Sequence, residues 1–252
     1  VLICILAGLG AGLGTGFAGM SAAAVISPML IAFLGMDPYM AVGIALASDV
    51  LASAVSAFTY GKNKHLDIKN GLIMMASVLC FTALGSFIAS IVPKTTMGNF
   101  SLVMTLLLGV KIIVKPVDAP KERHTQATTT QKVVRSILGG ALVGFICGFV
   151  GAGGGMMMLL VLTSLLGYEL KTAVGTSVFI MSVTALTGAV SHFAIGGMPD
   201  PGALILCVVS TLVFAQVAAF FANRAQPKTL NRITGAVLVV LGAAILIVNF
   251  CK

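Results

Sequence analysis

Five glycines lie within the eight residues 148–155 (GFVGAGGG), and an apolar segment follows them directly. Glycine costs about 1 kcal/mol relative to alanine in a helix, so this cluster predicts an interrupted helix inside an apolar span. A helix that restarts after a break begins with unpaired amides and the positive end of its dipole, and both attract anions. We therefore predict anion binding at Gly151, Ala152, Gly153 and Gly154. Close helix packing through small residues is the alternative explanation.

Hydroxyl groups near the predicted helix starts extend this candidate site. A stretch near the beginning of the chain corresponds to the cluster but has fewer glycines, and it contains a serine hydroxyl. A tetrahedral oxyanion is held by several such donors, whereas most hydroxyls in apolar helices bond back to the preceding turn. The residues predicted to bind substrate besides the cluster are Gly19, Met20, Ser21, Ser48, Thr176 and Ser177.

Two ionisable residues are candidates for coupling. Asp49 is the carboxylate that lies well inside a predicted span, where an ionisable group is costly enough to suggest a function. It shares a helical face with Ser53, Ser56 and Tyr60, at spacings i+4, i+7 and i+11. We predict that Asp49 takes up a proton or pairs with a cation; a structural carboxylate bonded to amides near a helix start is the alternative. His192, near the end of its span, is predicted to relay protons or contact an anion.

The elements that must hold these residues are membrane spans. Of the 252 residues, 58% are hydrophobic and 9% are charged, and the mean hydropathy is +1.10. Several apolar runs reach the roughly 20 residues that cross a hydrocarbon core of about 30 Å. The formal net charge of +8 comes from cations in short loops between these runs, where they act as topology signals. The composition predicts an all-α polytopic membrane protein without a nucleic-acid partner.

The chain contains two related copies of one unit. At a constant offset, residues 16–19 align with 148–151, Gly35 with Gly167, and residues 41–43 with 173–175. Such self-similarity predicts a duplicated structural unit. We predict a first transmembrane repeat at residues 1–114, a linker at 115–133 and a second repeat at 134–252. Each repeat begins with a glycine-broken hairpin, at 1–35 and 134–167, and continues with three transmembrane helices: 39–60, 70–92 and 98–114, then 172–194, 201–223 and 233–250.

The distribution of basic residues predicts the topology. If each hairpin returns to the side from which it started, most cations fall on one side, which the positive-inside rule makes cytoplasmic. Both termini are then external. A returning hairpin plus three spans gives an odd number of crossings, so the second copy is inserted upside down. Inverted repeats with interrupted helices at matching positions are typical of secondary transporters, with the substrate near the midplane.

The doubled pattern resembles the sulfite exporter TauE/SafE family, also called the toluene sulfonate uptake permease family. The resemblance covers essentially the whole chain and depends on the cluster at 148–155, the run at 173–177 (AVGTS), and His192 with Asp200. It implies a carrier of the bacterial or archaeal inner membrane for small sulfur oxyanions or organosulfonates, such as sulfite or sulfoacetate. The first copy departs from the pattern at residues 21–23 (SAA) and 44–45 (IA).

We therefore predict a secondary transporter, most simply an exporter, that moves a small anion by alternating access with possible proton coupling. A passive anion channel is the main alternative. An intramembrane serine protease built on Ser21 and His192 is a weaker one, and no enzymatic activity is predicted. The partners are the anion, the bilayer and a coupling ion; neither a cofactor nor a metal is predicted, because the five cysteines are scattered singly. The oligomeric state is left open.

Overall fold

The computed structural model describes residues 1–92, 129–150 and 154–224, together with residues 226 and 229. Within these ranges the chain is helical and has no strand, which confirms the all-α prediction. The predicted spans 98–114 and 233–250, and residues 115–128 of the predicted linker, lie outside the described residues. The helices are α1 (Leu2–Ala18), α2 (Ala23–Leu34), α3 (Pro38–Lys62), α4 (Ile68–Ile91), α5 (Thr129–Val150), α6 (Gly154–Leu160, continued by a π-helical segment, Val161–Leu165), α7 (Leu170–Gly196) and α8 (Pro201–Arg224).

Four of these helices are suited to cross a bilayer. Helices α3, α4, α7 and α8 have 24 to 27 residues each and are strongly apolar, whereas α1 and α2 are shorter apolar helices. Their bounds agree closely with the predicted spans. Helix α5 begins at Thr129, inside the stretch predicted as linker. The chain is therefore a multi-pass membrane protein.

Local sequence signals set where several helices begin and end. The Asp37 carboxylate accepts hydrogen bonds from the amides of Tyr39 (3.0 Å) and Met40 (3.4 Å), and Pro38 occupies the first turn of α3. Asp67 caps α4 in the same way, accepting from the Asn70 amide at 3.1 Å. Such caps satisfy amides that have no partner within the helix. These caps fix the start of α3 just after Asp37 and the start of α4 just after Asp67.

Glycine faces join the two halves in a reciprocal pattern. Helix α1 packs along α8 through Gly8, Gly12 and Gly16, and α5 packs along α4 through Gly140, Gly144 and Gly148. A Cβ atom added at these glycines would overlap the neighbouring helix, except at Gly140, where it would make a tight contact at 3.0 Å, as expected for small-residue packing in membranes. In both pairs the residue numbers rise together, so the paired helices run parallel. The first helix of each half thus packs against the last described helix of the other half.

Helices α3 and α7 cross in the centre of the molecule and run antiparallel. Gly43 near the start of α3 contacts Phe193 near the end of α7, and Gly175 near the start of α7 contacts Tyr60 near the end of α3. Antiparallel contact between equivalent helices favours a two-fold relation that turns one half upside down. The inverted repeat stays a prediction, which this pairing supports.

The two ends of the bundle differ in charge. Every lysine and arginine whose side chain is described lies at the end where α3 and α8 finish and α4, α5 and α7 begin: Lys62, Lys64, Lys69, Arg135, Lys171 and Arg224. We call this the basic end. Helix α1 begins at the opposite end, where the Cys207 Sγ lies 3.9 Å from the Cys4 carbonyl, and α2 leads back to that end at the start of α3. The first hairpin therefore returns to its starting side.

Candidate functional site

The first helix break lies between α1 and α2, at residues 19–22. Gly19 adopts a left-handed conformation (φ 61°) that favours glycine, and its amide donates to the Thr15 carbonyl at 2.9 Å. The Met20 amide donates to the Gly14 carbonyl at 3.3 Å. These bonds end α1 where its last residues are buried, and α2 begins at Ala23.

Asp49 of α3 lies against this start of α2. Its Oδ2 accepts a hydrogen bond from Ser21 Oγ at 2.7 Å, and its Oδ1 accepts one from Ser53 Oγ at 2.7 Å. The backbone amide of Ala22 provides a further hydrogen bond. The side chain of Asp49 is fully buried. The structure therefore brings together two predicted residues, Ser21 and Asp49, and adds Ser53 and Ala22.

The two helix breaks meet at one buried place, which we call the junction. Gly155, at the start of α6, is so close to the first break that an added Cβ would lie 2.5 Å from the Gly19 carbonyl oxygen and would also overlap the Ser21 amide. Ser177 Oγ lies 3.1 Å from the Gly19 carbonyl oxygen and 3.4 Å from that of Gly155. The junction comprises Gly19, Met20, Ser21, Gly155 and Ser177, all of them buried.

Other predicted site residues lie away from the junction. The Ser48 hydroxyl donates to the Ile44 carbonyl of its own helix at 2.9 Å. The Thr176 hydroxyl accepts a hydrogen bond from the Asp67 amide at 3.0 Å, at the basic end. Gly154 packs against the side chain of Cys147. Gly151, Ala152 and Gly153 lie outside the described residues, so their predicted roles stay predictions.

His192 forms a polar layer with Tyr39 and Ser86 against the last turn of α5. Its Nε2 lies 3.1 Å from the Gly148 carbonyl oxygen, to which Ser86 Oγ also donates at 3.3 Å. The ring of Tyr39 lies 4.1 Å from that of His192, centroid to centroid, and the Tyr39 hydroxyl donates to the Ser86 carbonyl at 3.4 Å. Tyr39, Ser86 and His192 thus converge on the last turn before the second break.

An open cavity lies above this layer, at the end opposite the basic end. It has a volume of about 380 Å³ and is lined by Asp37, Tyr39, Met40, Ala89, Ser90, Val92, Ile195 and Gly196. We call it the vestibule. Ile195 and Gly196 are about one turn further along α7 than His192, so the polar layer lies next to the vestibule.

Polar side chains make hydrogen bonds at the basic end, both between the two halves and within the second half. The Tyr168 hydroxyl donates to Asp67 Oδ2 at 2.7 Å, and Lys171 Nζ donates to the Asn223 carbonyl at 2.9 Å. Partial burial would raise the pKa of Asp67, but hydrogen bonds from Asn70 and Tyr168 outweigh it and lower the pKa. Asp67 therefore joins the start of α4 to the loop before α7 at the basic end.

Several of these residues were not among the predicted site residues. Gly155 belongs to the glycine cluster, but only the structure shows that it contacts the first break. Ser53 was placed on one helical face with Asp49 by its i+4 spacing, although it was not among the predicted site residues. Tyr39, Ser86 and Tyr168 come from other helices and loops, so no local spacing in the sequence connects them with the site. Within the part of the chain that the structure describes, no cluster of His, Cys, Asp and Glu could hold a metal ion.

Long apolar helices around two facing helix breaks define a membrane transporter as the class of protein, and the comparisons with known proteins agree. The chain belongs to the sulfite exporter TauE/SafE family, whose model matches residues 4–245. It is 26% identical to the probable membrane transporter protein YunE of Bacillus subtilis (strain 168), over 97% of each chain. It is also 25% identical to the probable membrane transporter protein MJ0441 of Methanocaldococcus jannaschii, over 82% of this chain and 79% of that one. The search of solved structures returned no significant match.

Proposed function

We propose that this protein is a secondary transporter that exports small sulfur-containing anions, such as sulfite or an organosulfonate like sulfoacetate. The family name supports a sulfur oxyanion as substrate. The observation that carries the proposal is the junction, where Gly155 of one half touches Gly19 and Ser21 of the other. Two interrupted helices that meet inside a membrane protein form the usual kind of site in secondary transporters.

The junction offers the donors that an oxyanion needs. Ser177 carries a hydroxyl there that contacts both breaks, and glycine at 155 lets the two breaks come into direct contact. Backbone amides at the helix restarts add donors and a favourable dipole, and we propose that residues 151–154 contribute theirs as the sequence predicts. Anion binding would replace the direct contact between the two halves, because Ser177 can exchange a carbonyl partner for the ligand.

Coupling to an ion gradient is assigned to Asp49 and His192. Each lies beside a helix break, Asp49 at the start of α2 and His192 on the carbonyl of Gly148. A proton or cation gained at either residue changes the local charge next to the anion. This change in charge links proton movement to anion movement. A passive channel would not need such a link.

Alternating access requires a path to each side, and the two ends suggest how it operates. The basic end, held by the Asp67 and Lys171 contacts, is assigned to the cytoplasm by the positive-inside rule. The vestibule then opens outward, both termini are external, and the protein resides in the inner membrane of its cell. In this arrangement the inner path is closed and the outer path is blocked by one polar layer.

The proposal is tested by counterflow in liposomes that contain the purified protein, with sulfite, sulfoacetate, thiosulfate, sulfate and acetate compared at two pH values. Saturable uptake of a sulfur anion, reduced in Ser177→Ala and retained in Ser48→Ala, is the expected result. The Ser48 hydroxyl bonds within its own helix, so this variant is the matched control. Anion conductance across a planar bilayer without saturable uptake would replace the transporter with a channel.

A further inference from the structure

The start of α2 already holds an anionic group that belongs to the chain. The Ser21 hydroxyl donates to one oxygen of Asp49, the Ser53 hydroxyl donates to the other, and the Ala22 amide adds a third donor. Because both carboxyl oxygens accept hydrogen bonds from protein groups, the arrangement fits the ionised, acceptor-only form of the side chain. The donors are all neutral, so the positive end of α2 supplies the compensating charge.

The second half has no carboxylate at the corresponding position. The offset that aligns residues 16–19 with 148–151 places Met181 opposite Asp49 and Ala185 opposite Ser53. Met181 and Ala185 are buried, so the second half has apolar side chains at both of these positions. Conversely, Ser177 of the second half stands opposite Ala45 of the first. The two halves therefore differ in the very groups that would bind an anion.

We propose that Asp49 is a tethered anion that occupies the oxyanion site of the first half, so that a soluble anion binds through the donors left free to exchange, Ser177 first among them. The protein then takes one substrate anion per chain although it has two helix breaks. The inference rests on the proposed function for its physiological meaning. The site at α2 itself takes a small carboxylate, because that is the group it holds in the native chain.

Chemical rescue tests this directly. Replacing the side chain in Asp49→Ala leaves the donors of Ser21, Ser53 and Ala22 without their acceptor and opens a space of about the size of formate. We expect the thermal unfolding midpoint of the purified variant in detergent to fall by at least about 4 °C. Sodium formate should restore it in a saturable way, whereas sodium chloride at equal ionic strength should not. Asp49→Gly, with space for a larger ligand, should respond to acetate.

Met181→Ala is the matched control, since it removes a buried side chain at the equivalent position of the second half without removing an anion. Its midpoint should fall and show no saturable response to formate. Equal formate responses in the wild type, Asp49→Ala and Met181→Ala would overturn the inference, as would a folded Asp49→Ala that ignores formate. If Asp49→Ala does not fold, the isosteric Asp49→Asn decides: wild-type stability for it would exclude a required negative charge.

The rescue does not depend on transport. Failure of sulfoacetate counterflow in the wild type would remove the proposed function and leave the rescue result intact. Failure of rescue, with counterflow preserved, would remove only the tethered anion.

Discussion

At the scale of single residues, Ser177 is the side chain that connects the two helix breaks. Its hydroxyl has one proton to donate, yet two carbonyl oxygens, those of Gly19 and Gly155, lie within 3.4 Å. It can therefore serve only one of them at a time. If the Ser177 hydroxyl turns to a ligand, only one of the two carbonyls therefore loses a hydrogen bond.

Ser177→Ala should weaken anion binding more than it weakens the fold. Loss of one donor is expected to raise the KM for the transported anion by about fivefold, which corresponds to roughly 1 kcal/mol. Ser48→Ala should leave the KM within the error of the measurement. The initial rate of counterflow over a range of anion concentrations measures both variants. Equal KM values in Ser177→Ala and the wild type would place the anion away from the junction.

The residue scale also shows what the sequence can predict about the site. The predicted site residues Ser21, Asp49 and Ser177 lie in or beside the junction. Buried polar groups near a helix break have few other hydrogen-bond partners. Thr176 and Ser177 are adjacent, yet their hydroxyls bond to opposite regions, the basic end and the junction. Neighbouring residues on a helix point about 100° apart, so a motif identifies the helix but not the hydroxyl that faces the ligand.

At the scale of helices, glycines serve two distinct purposes that look the same in the sequence. Gly19 and Gly155 allow the breaks to meet, whereas Gly140, Gly144 and Gly148 allow α5 to contact α4. Composition cannot separate these uses, because both require a residue without a side chain. The packing alternative is correct for Gly148, while the broken hairpin itself was predictable from the length of the apolar stretch.

Gly144→Ala should destabilise the protein through the contact between α5 and α4. An added Cβ would lie 2.9 Å from the Cα of Val78, and the backbone cannot move away easily. Overpacking of this kind costs about 1–3 kcal/mol. Gly61→Ala is the control, because its Cβ would meet only the end of the Leu66 side chain at 4.0 Å. Thermal unfolding in detergent compares them; equal midpoints would show that the two helices can separate freely.

The loop between α3 and α4 gives a prediction about acid stability. Because hydrogen bonds lower the pKa of Asp67, its carboxylate favours folding above the pKa of the unfolded chain, about 3.9. This contribution is lost as the pH falls through the lower, folded pKa. Asp67→Asn should therefore be less stable than the wild type at pH 6, and the difference should shrink below about pH 4. Unfolding midpoints from pH 6 to pH 3 measure it. A constant difference over this range would exclude the ionised carboxylate as the stabilising species.

At the scale of the whole molecule, the pairing of helices is the feature least accessible from the sequence. The membrane class and most span limits of the described helices could be predicted from apolar runs, and the duplicated unit stays a prediction from self-similarity. That α1 pairs with α8, and α5 with α4, could not, because helices in lipid associate through small residues that occur on several faces of every span. Once the pairing is known, the contact between the two breaks follows from it.

The unlike ends of the molecule lead to a prediction about access. Ser90 lines the vestibule, and Asn63 lies exposed at the basic end, where α3 finishes. With the native cysteines replaced by alanine, Ser90→Cys should react with a membrane-impermeant maleimide in right-side-out vesicles, and Asn63→Cys only after permeabilisation. Ser86→Cys, one turn deeper and covered by Tyr39, should react at least about tenfold more slowly than Ser90→Cys, because the polar layer must open first. Rapid labelling of Asn63→Cys in intact vesicles would reverse the assigned orientation. Equal rates at positions 86 and 90 would instead mean that Tyr39 and His192 do not close the outer path.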